Sequence, residues 1–121
     1  MSMDELPTFI ADDIVMARTF DSPNGQVVLE VNTPRPFDAA APEGDYCCTF
    51  RISGNMDAPY DGFGGGVDAV QALLLALAMA HEELRQTSPE LTFLGETNLG
   101  LPVLNIKPDN AIEAVVSFPA P

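Results

Sequence analysis

Only one stretch of this chain is free of glycine and proline for long enough to make a long helix. It runs from Val67 to about Gln86, between the glycine cluster at Gly62–Gly66 and Pro89. Asp68 near its start suits the positive end of the helix dipole, and Pro89 ends it. At 100° per residue Ala69, Val70, Leu73, Leu77, Ala80 and Leu84 gather on one side, which predicts a face lying on a sheet. A second, narrower stripe, Ala72, Leu75 and Met79, is either buried under the C-terminal segment or is a contact surface for a partner or a second copy. The apolar core of this helix, Ala72–Ala80, is far shorter than the ~20 residues that span a bilayer, so no membrane association is expected.

The residues before the helix read as antiparallel strands. Ile14–Phe20 is rich in β-formers, and Asp21-Ser22-Pro23-Asn24-Gly25 has turn chemistry. Gln26–Asn32 then resumes the extended pattern, with Val27, Leu29 and Val31 on one face. Thr33–Asp45 carries Pro34, Pro36 and Pro42 and reads as a loop. In Tyr46–Ser53, Tyr46, Cys48, Phe50 and Ile52 alternate inward while Cys47, Thr49, Arg51 and Ser53 point outward. Gly54–Gly66 reads as irregular, and short strands are expected at Leu91–Leu94 and Ala111–Phe118.

The resulting expectation is an α+β fold: an antiparallel sheet, made of a three-strand meander plus C-terminal strands, packed by one long helix. A length of 121 residues and an apolar content of 46% suit a single domain with its own core, with residues 1–13 and 119–121 expected to be flexible. Met1–Pro7 carries two acids and no base, unlike a secretory leader, so a cytoplasmic location is expected.

Chemistry is conspicuous by the motifs that fail. Asp57, Asp61, Gly62 and Asp68 match positions 1, 5, 6 and 12 of a calcium loop, but Pro59 occupies a ligand position and Asp68 replaces the bidentate Glu. The glycines before the helix lack the spacing of a dinucleotide fingerprint and are followed by no Lys-Ser/Thr. His81-Glu82-Glu83-Leu84-Arg85 starts like a zinc-hydrolase motif and puts Arg where the second His belongs, and His81 is the only histidine. Cys47 and Cys48 are adjacent in a strand, where side chains diverge, so reduced thiols are expected, with Cys48 a core residue. Neither a metal, a cofactor nor a catalytic residue is expected.

The segment Cys48-Thr49-Phe50-Arg51-Ile52, followed by a glycine-rich approach to Val67-Asp68-Ala69-Val70-Gln71-Ala72-Leu73-Leu74-Leu75-Ala76-Leu77 and then by Leu94-Gly95 and Leu99-Gly100-Leu101-Pro102, resembles a family of small bacterial proteins classed as domains of unknown function. The likeness covers roughly Ile14–Pro102. It implies support for the fold and carries no activity, cofactor or site residue with it.

Charge then decides among the remaining classes. Eighteen acids against five bases leave a net charge of −13, which repels nucleic acid and anionic membrane and attracts basic partners. The expectation is a non-enzymatic acidic binding protein, specifically an immunity protein that neutralises a bacterial toxin by covering its basic active site. Asp57, Tyr60, Asp61 and Phe63 are the expected contact residues, and Glu82 and Glu83 the steering charges. The alternative is a self-associating structural or regulatory domain, a homodimer through Ala72, Leu75 and Met79.

Overall fold

The computed structural model of the chain describes residues 6–117. Its main sheet is an antiparallel meander. Strands β1 (Ile14–Ser22) and β2 (Gly25–Asn32) form a hairpin whose turn residues are Pro23 and Asn24, with Gly25 at a φ of 131°. The Ser22 hydroxyl caps this turn by accepting from the Asn24 amide and donating to the Gly25 carbonyl. Strand β3 (Arg35–Pro36) continues the β2 edge, so that β4 (Tyr46–Ser53) pairs with β2 and β3 on one side and with β5 (Tyr60–Gly66) on the other. The order across the sheet is therefore β1, β2, β4, β5, and β1 is an edge.

Of the segment expected to be irregular, Gly54–Gly66, residues 54–59 are irregular and Tyr60–Gly66 is instead strand β5. Gly62, Gly64 and Gly66 alternate, so all three present a bare backbone to the same face, and helix α1 (Ala69–Thr87) lies directly against it. A Cβ added at Gly66 would come 2.5 Å from the Ala72 amide nitrogen, and one at Gly64 would overlap the backbone of Leu75 and Ala76. The glycines are therefore the condition for close strand-to-helix contact.

Asp68 is the helix cap itself: its carboxylate accepts from the Gln71 amide at 2.9 Å, and the Gln71 side chain accepts from the Val67 amide at 2.7 Å. The face resting on the sheet is Ala72, Ala76, Ala80 and Leu84, with Leu73 and Leu77 partly buried beside them. This corrects the expected face at Val70, which is 66% exposed. It also corrects Ala72, assigned to the dimer stripe and in fact fully buried. Small residues at a spacing of four let the helix descend onto the glycine strand, which the larger Val70 could not do.

The opposite face of the sheet is covered as well. Among the residues expected to be flexible, 6–13 lie across it, tied down by the fully buried Asn32. Its Oδ1 accepts from the Ile10 amide at 2.8 Å and the Thr49 hydroxyl at 2.6 Å, and its Nδ2 donates to the carbonyls of Ile10 and Asp13. Arg35 donates to the Thr49 hydroxyl and the Thr8 carbonyl, and Arg51 stacks 4.6 Å from the Phe9 ring centroid. Cys47 and Thr49, expected to point outward to water, are buried by this cover. The remaining residues of that expectation, 1–5 and 119–121, lie outside the described residues.

After the helix the chain folds back beside β1. The strand expected at Leu91–Leu94 is reduced to a bridge, in which Thr92 exchanges backbone hydrogen bonds with Asp21, followed by a tight turn through Leu94 and Gly95. Leu91, Leu99 and Leu101 fill the end of the core. Strands β6 (Val103–Ile106) and β7 (Ile112–Val115) then form a separate two-stranded sheet, and β6 packs on the outer side of α1 beside Ala78. The C-terminal strands thus sit apart from the meander. Among the described residues, no helix is long and apolar enough to cross a membrane.

Candidate functional site

The pleat of β5 divides the residues expected to form one contact surface. Tyr60 lies on the helix side, tilted against Phe50 with ring centroids 6.1 Å apart, and partial burial together with the charge of Glu83 raises its phenol pKa. Asp61 and Phe63 lie on the other face. Asp61 accepts from Arg51 Nε at 2.7 Å and from an Arg51 terminal nitrogen at 2.9 Å, and this pairing holds its carboxyl below the usual range. Phe63 packs edge-on against Phe37. Asp57 is exposed on the loop before β5, and Glu82 borders the C-terminal hairpin on the far side of the helix. The six residues therefore do not converge. Of the expected dimer stripe, Ala72 is buried, Leu75 is half-buried and Met79 is exposed.

Neither thiol is poised to react. Burial pushes the Cys47 pKa up, and burial with the neighbouring Cys47 raises Cys48 to about 11, so both stay protonated at neutral pH. Among the described residues, no group of three or more His, Cys, Asp or Glu side chains could hold a metal ion.

His81 is a structural joint. It is 8% exposed, its Nε2 accepts from Arg85 Nε at 3.1 Å, and its ring also hydrogen-bonds the Pro102 carbonyl, linking α1 to the segment that follows. Desolvation first, and the Arg85 charge second, lower its pKa below the ordinary 6.5. The folded state thus favours the neutral ring, and the unfolded chain binds the extra proton. The stability from this joint is complete above 6.5 and is lost as pH falls through the depressed value. Urea unfolding between about pH 7.5 and 5.5 should show decreasing stability in the wild type, and His81→Gln should remove that component of the slope. An identical slope in His81→Gln would contradict the assignment.

The structure brings together a different set of residues, which no sequence pattern marked. Helix α1 packs on β4 and β5, and a cleft of about 280 Å³ remains between it and the Met16 end of β1. Its floor is Leu29 and Val31, its walls are Met16 of β1 and Leu74 and Leu77 of α1, and its rim is Gly100, Leu101, Pro102 and Val116. Leu74 is 41% exposed, so the apolar surface continues out of the cleft onto the helix. Among the described residues, Arg18 is the one charged residue that lines the cleft. Its guanidinium donates to the carbonyls of Leu99 at 3.0 Å and Gly100 at 3.2 Å and stacks 4.2 Å from the Phe93 ring centroid. It holds the rim against the sheet. A cleft of this volume has room for one or two apolar side chains, and among the described residues no acid or nucleophile lines it.

The chain has no significant match among curated proteins or among solved structures. Residues 16–103 match the family described as "Domain of unknown function (DUF6968)", a span that takes in the meander, the helix, the cleft floor and most of its rim. The chain belongs to this family of uncharacterised domains.

Proposed function

We propose that this protein is a non-enzymatic acidic binding protein, acting in the cytoplasm, that holds an apolar side chain of a basic protein partner in the cleft between β1 and α1. The observation that carries the reading is an open aliphatic cleft in a chain of net charge −13. Affinity at protein interfaces concentrates in a few apolar anchors seated in pockets, and charge complementarity speeds and selects the encounter. The finer reading is immunity: the partner is a bacterial toxin whose basic active-site face is covered. Glu82 and Glu83 keep their steering role, while the anchoring role passes from Tyr60 and Phe63 to Leu74, Leu77 and Met16.

The test is recovery of a tagged chain from its native cell, compared with Leu74→Asp. A basic protein should be retained near 0.05 M salt and released near roughly 0.5 M, since the Debye length shortens over that range. Leu74→Asp, at a partly exposed site, should reduce retention by about tenfold or more with an unchanged melting temperature. Retention indifferent to Leu74→Asp, or turnover of a substrate by the purified chain, contradicts the proposal.

A further inference from the structure

Beside the last turns of α1 lies a second cavity, of about 410 Å³, between the helix, the segment from Thr97 to Leu101 and the β6–β7 hairpin. It shares only Leu101 with the cleft: Val116 lines the cleft, and its neighbours Val115 and Ser117 line this cavity. Arg85, whose outer end is exposed, and the neutral ring of His81 form the helix wall.

A guanidinium offers two forks of parallel N–H groups, one from Nε and Nη2 and the other from Nη1 and Nη2. At Arg51 the first fork is filled by a carboxylate, with Nε donating to Asp61 Oδ1 at 2.7 Å and Nη2 to Asp61 Oδ2 at 2.9 Å. At Arg85 the same fork is filled by neutral acceptors: Nε donates to His81 Nε2 at 3.1 Å and Nη2 to the Thr97 carbonyl at 3.3 Å. His81 is itself buried and tied to the Pro102 carbonyl, so the guanidinium is anchored in one orientation. Glu82, three residues earlier and within helical reach, accepts from Gln86 instead. Among the described residues no carboxylate pairs with Arg85, and its second fork has no partner.

That second fork matches the two oxygens of one carboxylate. A single fixed cation in a chain of net charge −13 favours a monoanion over a phosphate dianion. Leu101, Val103 and Val115 supply apolar surface for a small aliphatic body, and Thr97, Asn105 and Ser117 add polar groups around it. We infer that the Arg85 cavity binds a carboxylate carried on a short aliphatic group, whether of a free acid or of the carboxyl end of a peptide. This site is independent of the cleft and of the basic partner proposed for it.

Two probes separate the sources: isobutyrate for the free acid, and N-acetylvaline for the peptide end. Each is titrated into the full chain at about pH 7.5 and constant ionic strength, where His81 is neutral, and followed by amide NMR. Thr97, Val103 and Ser117 should shift saturably with a Kd of about 1–10 mM, leaving Met16 and Leu74 unmoved. The tighter probe identifies the source. Its neutral amide should bind at least about tenfold more weakly, a comparison that leaves the protein untouched. Arg85→Lys keeps the charge but not the fork, and should weaken binding at least about fivefold.

Saturation by neither probe below about 50 mM would overturn the inference. So would equal binding of the neutral amide, equal binding by Arg85→Lys, or tighter binding of inorganic phosphate. Shifts centred on Met16 and Leu74 would place the ligand in the cleft and overturn it as well.

Discussion

Gly64→Ala should destabilise the protein by more than about 3 kcal/mol, enough to unfold much of a domain of this size. The added methyl would overlap the backbone of Leu75 and Ala76. Backbone cannot rotate away as a side chain can, so the helix would have to lift from the strand. Ala72, Ala76 and Ala80, all fully buried, would lose their contacts together. Gly65→Ala is the control, because it points to the other face, where an added Cβ would sit at an ordinary 3.4 Å from the Phe37 ring. Its unfolding midpoint in urea should stay within about 1 kcal/mol of the wild type. Equal midpoints for the two variants would show that the helix does not rest on the bare strand.

Asn32→Asp should cost about 3 kcal/mol, through a different mechanism. The native amide makes four hydrogen bonds in a site with no solvent exposure, two as donor to the Ile10 and Asp13 carbonyls. A carboxylate would set oxygen against oxygen at both and bury an unpaired charge. Asn32→Leu removes the repulsion but strands the Ile10 amide and the Thr49 hydroxyl, so it too should be destabilising, by about 2 kcal/mol. In both variants the Ile10 amide should exchange much faster with solvent, as residues 6–13 lose their hold. Native-like protection of Ile10 in either would show that the segment is held by other contacts.

These two sites also mark where sequence reasoning stopped short. The inward set of β4, the reversal before Gly25 and the helix between Asp68 and Pro89 are local patterns, and the structure bears out all three. Strand β5 is different: its helix-facing positions are glycines, which carry no hydrophobic signal, and their purpose exists only once α1 is laid over them. Asn32 and Thr49 look like the wet face of a sheet because nothing near them in sequence covers them, and residues 6–13 come from far along the chain. Bulk at Val70 points to the wrong helix face, because small alanines are what permit close approach to the strand. The cleft is assembled from β1, β2, α1 and the segment around Gly100, so no single window contains its signature.

Central to this account is that a basic partner engages the open side of the sheet rather than the loop and strand around Asp57–Phe63. Hydrogen exchange of the full chain, alone and with the protein it retains at low salt, locates the contact directly. New protection is expected around Met16, Leu74 and Leu77, with Asp57–Phe63 unchanged. Protection confined to Asp57–Phe63, with β1 exchanging as in the free chain, would contradict it.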